Sequence, residues 1–129
     1  MAPATLRFMM IEVPMLKALG AYTKAKLFRG EDYVLAMTLA NEADRKGRSA
    51  VKLTYVAEEL GLNQDKLFKS MKRLRSLDLV RKGNDRRDGV FYMVNPDFIY
   101  AGARAKQDEA VGLFRSLEML PGAVQVEGI

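Results

Sequence analysis

The chain has 129 residues, of which 49% are hydrophobic, and its formal net charge is +5. This length and apolar content favour one folded domain with a substantial core over a disordered chain. Cysteine and histidine are both absent, which excludes disulfides, thiolate metal sites and histidine-based catalysis or metal ligation. Because nucleotide-binding glycine motifs are also missing, we expect no enzymatic activity, no catalytic residue, no cofactor and no bound metal.

Membrane insertion and secretion are not indicated by the sequence. No apolar run approaches the roughly 18 residues that a membrane-spanning helix needs. The N-terminal stretch has no basic start before an uninterrupted apolar core, as a secretion signal would have. We therefore expect a cytoplasmic protein with no membrane partner.

Residues 1–30 form a predicted N-terminal extension. The apolar run Leu6–Val13 fits either a strand or the start of a helix, and Pro14 suits the first turn of a helix. A helical face would then be formed by Leu16, Leu19, Tyr22 and Leu27.

A longer helix is predicted at Glu31–Arg45, because acids open it, basic residues close it and Gly47 follows. Its apolar face would consist of Val34, Leu35, Met37 and Leu39. After it, the short β-prone run Val51–Leu53 predicts a strand.

Two short helices separated by a glycine-containing turn are predicted next. Thr54 would cap the first helix, Tyr55–Leu60, and Gly61 would end it. Asn63 would cap the second helix, Gln64–Leu77. This spacing is typical of a helix-turn-helix.

A β-hairpin is predicted immediately after these helices. The β-prone runs 79–82 and 90–94 flank a polar loop bounded by Gly83 and Gly89. A helix-turn-helix followed by such a hairpin predicts a winged helix. Arg86 and Arg87 at the tip could belong to an ordinary charged turn, but we predict contact with the minor groove or a phosphate.

The last predicted element is an amphipathic helix over residues 103–120, followed by a tail at 121–129. Its apolar stripe consists of Ala110, Val111, Phe114, Leu117 and Leu120. The stripe packs either on its own core or across a dimer. We predict a homodimer through Val111, Phe114 and Leu117, because two half-sites multiply affinity; segment 1–30 is the other candidate for a dimerisation arm.

Positive charge is concentrated in one part of the chain. Nine of the 21 basic residues lie between Lys66 and Arg87, a window that contains two acids, Asp78 and Asp85. The window carries a net charge of +7, so the other 107 residues sum to −2. Such clustering is typical of a surface that binds phosphates.

The second short helix has one apolar and one cationic side. With each residue advancing about 100°, Leu67, Met71 and Leu74 share the apolar side. The cationic side is predicted to enter the major groove of duplex DNA, while hydroxyl, amide and N–H groups at helix starts bind phosphates. The DNA-binding residues predicted on the two helices are Thr54, Tyr55, Asn63, Gln64, Lys66, Lys69, Ser70, Lys72 and Arg73.

An ordinary solvated helix could also carry these basic residues. A solvated face usually alternates both charges at a spacing of four residues, whereas here only Asp65 is present to do so. The shortage of acids therefore favours DNA contact.

The segment YMVNPDFIYAG at residues 92–102, together with KLTYVAEELGLNQDKLFKSMKRLRSLDLVRK before it, resembles the RepL-type plasmid replication proteins and their phage-borne relatives. The resemblance covers about residues 8–102. It implies a small bacterial protein, associated with the nucleoid or a plasmid, that binds DNA at a replication origin and has no catalytic activity of its own.

Taken together, these features predict an α+β protein that is mainly helical with a small β-hairpin. Its core is a winged helix-turn-helix domain over residues 31–102, with extra N- and C-terminal helices. The predicted function is sequence-specific binding of double-stranded DNA as a replication initiator, with replication or partition proteins as further partners. The alternatives are a transcriptional repressor, a centromere-binding partition protein, or a winged helix used for protein interaction.

Overall fold

Helices and a small antiparallel sheet make up the computed structural model, which describes residues 13–87, 89–100 and 104–124. The predicted α+β class is confirmed. The helices are α1 (Val13–Lys24), α2 (Gly30–Asn41), α3 (Leu53–Leu60), α4 (Gln64–Ser76) and α5 (Gln107–Ser116), with a 3-10 helix at Arg104–Lys106. The strands are β1 (Arg48–Ser49), β2 (Val80–Asp85) and β3 (Gly89–Val94).

Some predictions fall outside these ranges. The run at residues 6–13, apart from the backbone of Val13, lies outside the described residues, and so do the start of the predicted C-terminal helix at 103 and the end of the tail at 125–129. None of the helices in the described ranges has the length and apolar character needed to cross a bilayer.

The buried faces of the first two helices differ from the predicted ones. In α1, Met15 and Leu19 are buried, whereas Leu16 is 59% exposed. Leu27, predicted on the same helical face, lies after the end of α1 and is 50% exposed. In α2 the buried residues are Asp32, Leu35, Ala36, Leu39 and Ala40, while Val34 and Met37 lie at the surface. Leu35 and Leu39 were therefore predicted correctly, whereas Asp32, Ala36 and Ala40 are buried in place of Val34 and Met37.

Four predicted boundaries were wrong, one of them the end of the C-terminal helix, which was predicted at Leu120 but lies at Ser116. Helix α2 ends at Asn41, since Asp44 folds the next residues into a turn by accepting hydrogen bonds from the backbone N–H groups of Lys46 and Arg48, both 2.9 Å. The strand expected at Val51–Leu53 lies instead at Arg48–Ser49, and Leu53 already begins α3. Lys52 rather than Thr54 occupies the N-cap position, and its side chain makes no capping hydrogen bond.

The turn between α3 and α4 was predicted correctly. Gly61 ends α3 in the left-handed conformation, with φ of 68°, which glycine adopts without the steric penalty of a Cβ atom. The Asn63 side chain caps α4 by accepting a 2.8 Å hydrogen bond from the backbone N–H of Lys66.

The sheet has the strand order β1-β3-β2, with all pairs antiparallel. Strands β2 and β3 pair from Val80 opposite Val94 to Asp85 opposite Gly89, so the turn is shorter than the predicted loop. Val80 and Val94 pack into the main core together with Leu67 and Leu74 of α4. Because side chains alternate along a strand, the neighbouring Met93 lies on the other face and packs with α5.

The Asn95-Pro96 turn leads the chain off β3 and back to the core. The backbone N–H of Asn95 donates to the carbonyl oxygen of Leu79 at 2.8 Å, and its side-chain amide donates to that of Asp78 at 3.1 Å. Phe98 follows, fully buried, with its ring edge-on to those of Phe28 and Tyr33. These bonds attach the end of the hairpin to the end of α4.

Candidate nucleic-acid interface

Helix α4 has the two-sided character that its sequence predicts. Leu67, Met71 and Leu74 are 1%, 5% and 0% exposed and form part of the main core. On the other side, Lys66, Lys69 and Lys72 are exposed. The hydrophobic contacts of one face therefore fix the direction in which the lysines of the opposite face point.

Two residues predicted for DNA contact are instead engaged by the protein itself: Ser70 is buried, and Arg73 is mostly covered. Asp32 of α2 is completely buried, and it accepts hydrogen bonds from the Ser70 hydroxyl at 2.5 Å and from Arg73 Nε at 2.8 Å. Arg73 Nη2 also donates to Asp32 and to Glu31. The hydrogen bonds to Asp32 raise the pKa of Arg73 above its ordinary value.

This network corrects the predicted binding surface. Ser70 is fully buried, so its hydroxyl is not at the surface. The Arg73 guanidinium is engaged by two carboxylates, and only 20% of its side chain is exposed. Its charge compensates the buried Asp32, because an unpaired carboxylate in the interior would be strongly unfavourable.

A second arginine of the basic window is also structural. Arg81 of β2 is buried, and its Nε and Nη2 donate to the two carboxylate oxygens of Asp78, each at 2.9 Å. The pair is bidentate, which is the strong geometry for arginine and carboxylate. Arg73 and Arg81 therefore stabilise the fold, and the cationic surface is smaller than the net charge of the window suggests.

The remaining basic residues of the window are exposed except Arg75, which is partly buried. Lys69 forms a 3.1 Å ion pair with Asp65, but both side chains are well exposed, so water and salt weaken the pair. Across the described ranges, six others form no ion pair with a carboxylate. They are Lys66, Lys72, Arg75, Lys82, Arg86 and Arg87.

The starts of the two short helices present polar and aromatic groups. Thr54, Tyr55 and Gln64 are exposed, as predicted for residues that contact a ligand. Tyr55 is 64% exposed, and Phe68 on α4 is 58% exposed. Phe68 was not predicted; its place on the helix wheel, between the apolar and cationic sides, is the signal that would have indicated it.

Arg86 and Arg87 are exposed at the tip of the hairpin. The backbone N–H of Arg87 donates to Asp85 at 2.8 Å, and Asp85 pairs with Arg48 of β1 at 2.9 Å. The Arg48 guanidinium in turn lies 5.5 Å from the centre of the Phe91 ring. These contacts hold the base of the tip in place.

A groove joins the end of α4 to the hairpin. Its volume is about 500 Å³, and its lining includes Arg75 of α4 together with Lys82, Asn84 and Val90 of the hairpin. Arg75 at the end of α4 and Lys82 on β2 therefore line the same groove, together with residues 116–121 at and after the end of α5. Lys82 was not predicted, although the alternation along β2 places it on the same face as Val80 and Asn84.

The predicted dimerisation stripe packs largely within its own chain. Phe114 is 3% exposed and packs with Met93 and Tyr100, so its assignment to a dimer interface was wrong. Arg81 lies 4.6 Å from the centre of its ring and donates to the carbonyl oxygen of Leu117 at 2.8 Å. Leu117 packs against the same cluster, and Val111 is only partly exposed.

Within the described residues, no group of three or more aspartates or glutamates is placed to hold a metal ion. No protein-family model, curated protein or solved structure matches this chain. The function is therefore inferred from the geometry of its own side chains.

Proposed function

We propose that this protein binds double-stranded DNA through a winged helix-turn-helix formed by α2 to β3. The order helix, short strand, two helices and hairpin, with the sheet order β1-β3-β2, supports this interpretation. In such a domain the second of the two short helices lies in the major groove. Helix α4 is the second of the two short helices in this protein.

The observation that carries the proposal is the set of exposed cations on α4 and on the hairpin, most of which have no carboxylate partner among the described residues. Lys66, Lys69 and Lys72 are exposed on α4, and one groove connects the end of that helix to Lys82 on β2. Ammonium and guanidinium groups without a carboxylate partner bind backbone phosphates by displacing counterions. On a surface that only contacts water, leaving these ammonium and guanidinium groups without a carboxylate partner would add nothing to the stability of the protein.

The proposed roles follow from position. Gln64 and Lys66 at the start of α4 contact base edges, where glutamine pairs with adenine and lysine donates to guanine. Lys69 and Lys72 contact phosphates. At the hairpin tip, Arg86 and Arg87 contact the adjacent minor groove or backbone.

We propose further that the target is a plasmid or phage origin and that the protein initiates replication there, as the resemblance of residues 8–102 to RepL-type replication proteins would imply. Footprinting on the native replicon tests this role. Protection of repeats inside an origin would support it, whereas protection of a promoter alone would favour a repressor.

Direct binding is tested with a Lys69→Ala/Lys72→Ala double variant and fluorescence anisotropy on a duplex that contains the footprinted repeats. We expect at least a tenfold loss of affinity at about 0.1 M salt, because two phosphate contacts disappear. The matched control is Lys46→Ala/Lys106→Ala, which removes two lysines that line a separate cleft beside α5. Equal affinities for both double variants would contradict the proposal.

A further inference from the structure

One guanidinium in the groove between α4 and the hairpin has a buried atom without a partner. Arg75 Nε is covered by protein atoms, yet no acceptor in the described part of the chain receives a hydrogen bond from it. Buried donors in folded proteins are nearly always satisfied by protein, water or a bound ion. Arg75 therefore has the cost of partial burial without the compensating interaction that Arg73 and Arg81 have.

The chemistry around Arg75 is that of an anion site. Lys82 is exposed and forms no ion pair with a described carboxylate, and Asn84 lines the same groove from the same face of β2. Guanidinium, ammonium and amide groups are all hydrogen-bond donors to phosphate oxygens. The adjacent Val90 side chain, 46% exposed, offers an apolar surface of the kind that packs against a sugar.

The groove also contains an acid. Glu118, in the segment after α5, lines it, and no ion pair joins Glu118 to a described lysine or arginine. That segment is attached to α4 by the backbone N–H of Val124, which donates to the carbonyl oxygen of Ser76 at 2.9 Å. A carboxylate held at this position repels an incoming phosphate.

We propose that Arg75 and Lys82 bind one backbone phosphate of the duplex in this groove, and that Glu118 weakens this contact. The proposal rests on the DNA-binding function above and adds a specific phosphate site between the helix and the hairpin. Because a phosphate carries no base identity, the contact strengthens binding to every sequence alike.

The test uses Lys82→Ala and Glu118→Gln in the full chain, because both side chains are exposed and neither change disturbs the core. We expect Lys82→Ala to weaken binding about tenfold, equally on target and random duplexes, and to reduce the slope of log affinity against log salt by about one. Glu118→Gln should strengthen binding about threefold. Lys106→Ala, on the far side of the sheet, is the matched control.

The outcomes separate the two proposals. If Lys69→Ala/Lys72→Ala weakens binding but Lys82→Ala behaves like Lys106→Ala, the phosphate site is rejected and the DNA-binding function stands. A loss on Lys82→Ala that is confined to one target sequence would also reject it, because it would indicate base contact. If the wild-type protein fails to bind duplex DNA, both proposals are rejected.

Discussion

At the scale of single residues, the structure divides the arginines of the basic window into two groups. Arg73 and Arg81 contact buried or nearly buried carboxylates, whereas Arg75, Arg86 and Arg87 form no such pair among the residues described. The formal charge of a side chain is the same in both groups. Only its neighbours decide whether that charge stabilises the fold or is accessible to a ligand.

We predict that Arg73→Met lowers the free energy of unfolding by about 3 kcal/mol, because it leaves Asp32 as an uncompensated buried charge. Urea denaturation measures this change. Lys72→Met, one residue away on the exposed side, should change the free energy of unfolding by less than about 0.5 kcal/mol. Similar stabilities for the two variants would contradict the structural role of Arg73.

The same pair of variants should behave oppositely towards DNA. Below its unfolding transition, Arg73→Met should keep duplex affinity within about threefold of the wild type, whereas Lys72→Met should lose about tenfold. Fluorescence anisotropy compares the duplex affinities of the two variants under conditions in which the same fraction of each is folded. A larger loss of duplex affinity for Arg73→Met would indicate that Arg73 contacts DNA and would contradict this prediction.

At the scale of elements, the turn between α3 and α4 depends on the backbone of Gly61. A Cβ atom there would meet no other atom within 4 Å, so only the left-handed conformation opposes substitution. We predict that Gly61→Ala lowers the free energy of unfolding by about 1–2 kcal/mol.

Gly112→Ala is the matched control for this turn. Gly112 lies within α5, where a Cβ atom also has open space, and alanine should raise stability by about 0.5–1 kcal/mol through its higher helix propensity. Thermal or urea denaturation compares both variants. If both substitutions changed the free energy of unfolding in the same direction, the left-handed conformation of Gly61 would not be the cause of the change at that position.

Helix α5 is attached to the sheet by Arg81 as well as by the apolar contacts of Phe114 with Met93. The Arg81 side chain donates to carbonyl oxygens at the end of α5 and pairs with Asp78 beneath it. We predict that Arg81→Met lowers the free energy of unfolding by about 3 kcal/mol and increases amide hydrogen exchange in α5 more than in α4. Uniform exchange across both helices would contradict this attachment.

Several elements could be predicted because their signals are local. The Asn63 cap, the Gly61 stop and the apolar face of α4 depend on residues a few positions apart. The full buried face of α2 could not be predicted, because the burial of Asp32 depends on Ser70 and Arg73, which are far away in the chain. The place of β1 depends in the same way on its pairing with β3.

At the scale of the whole molecule, α5 covers one face of the sheet while the main core covers the other. The sequence indicated the amphipathic stripe of α5 but could not distinguish a partner subunit from the chain's own sheet, because both are apolar surfaces. A homodimer remains a prediction, and it would need a surface other than Phe114.

The concentration of charge is visible in the sequence itself, but its accessible members could be identified only from burial and ion pairs in the structure. The surface that remains extends from α4 across the groove to the hairpin tip. Its size determines how many phosphates the protein can neutralise.

The most direct test is the salt dependence of duplex binding by the wild-type protein. Each neutralised phosphate contributes about −0.9 to the slope of log affinity against log salt. With four or more of the accessible cations in contact, we expect a slope of about −4 or steeper. A slope near zero, or no binding to duplex DNA at about 50 mM salt, would contradict the proposed function.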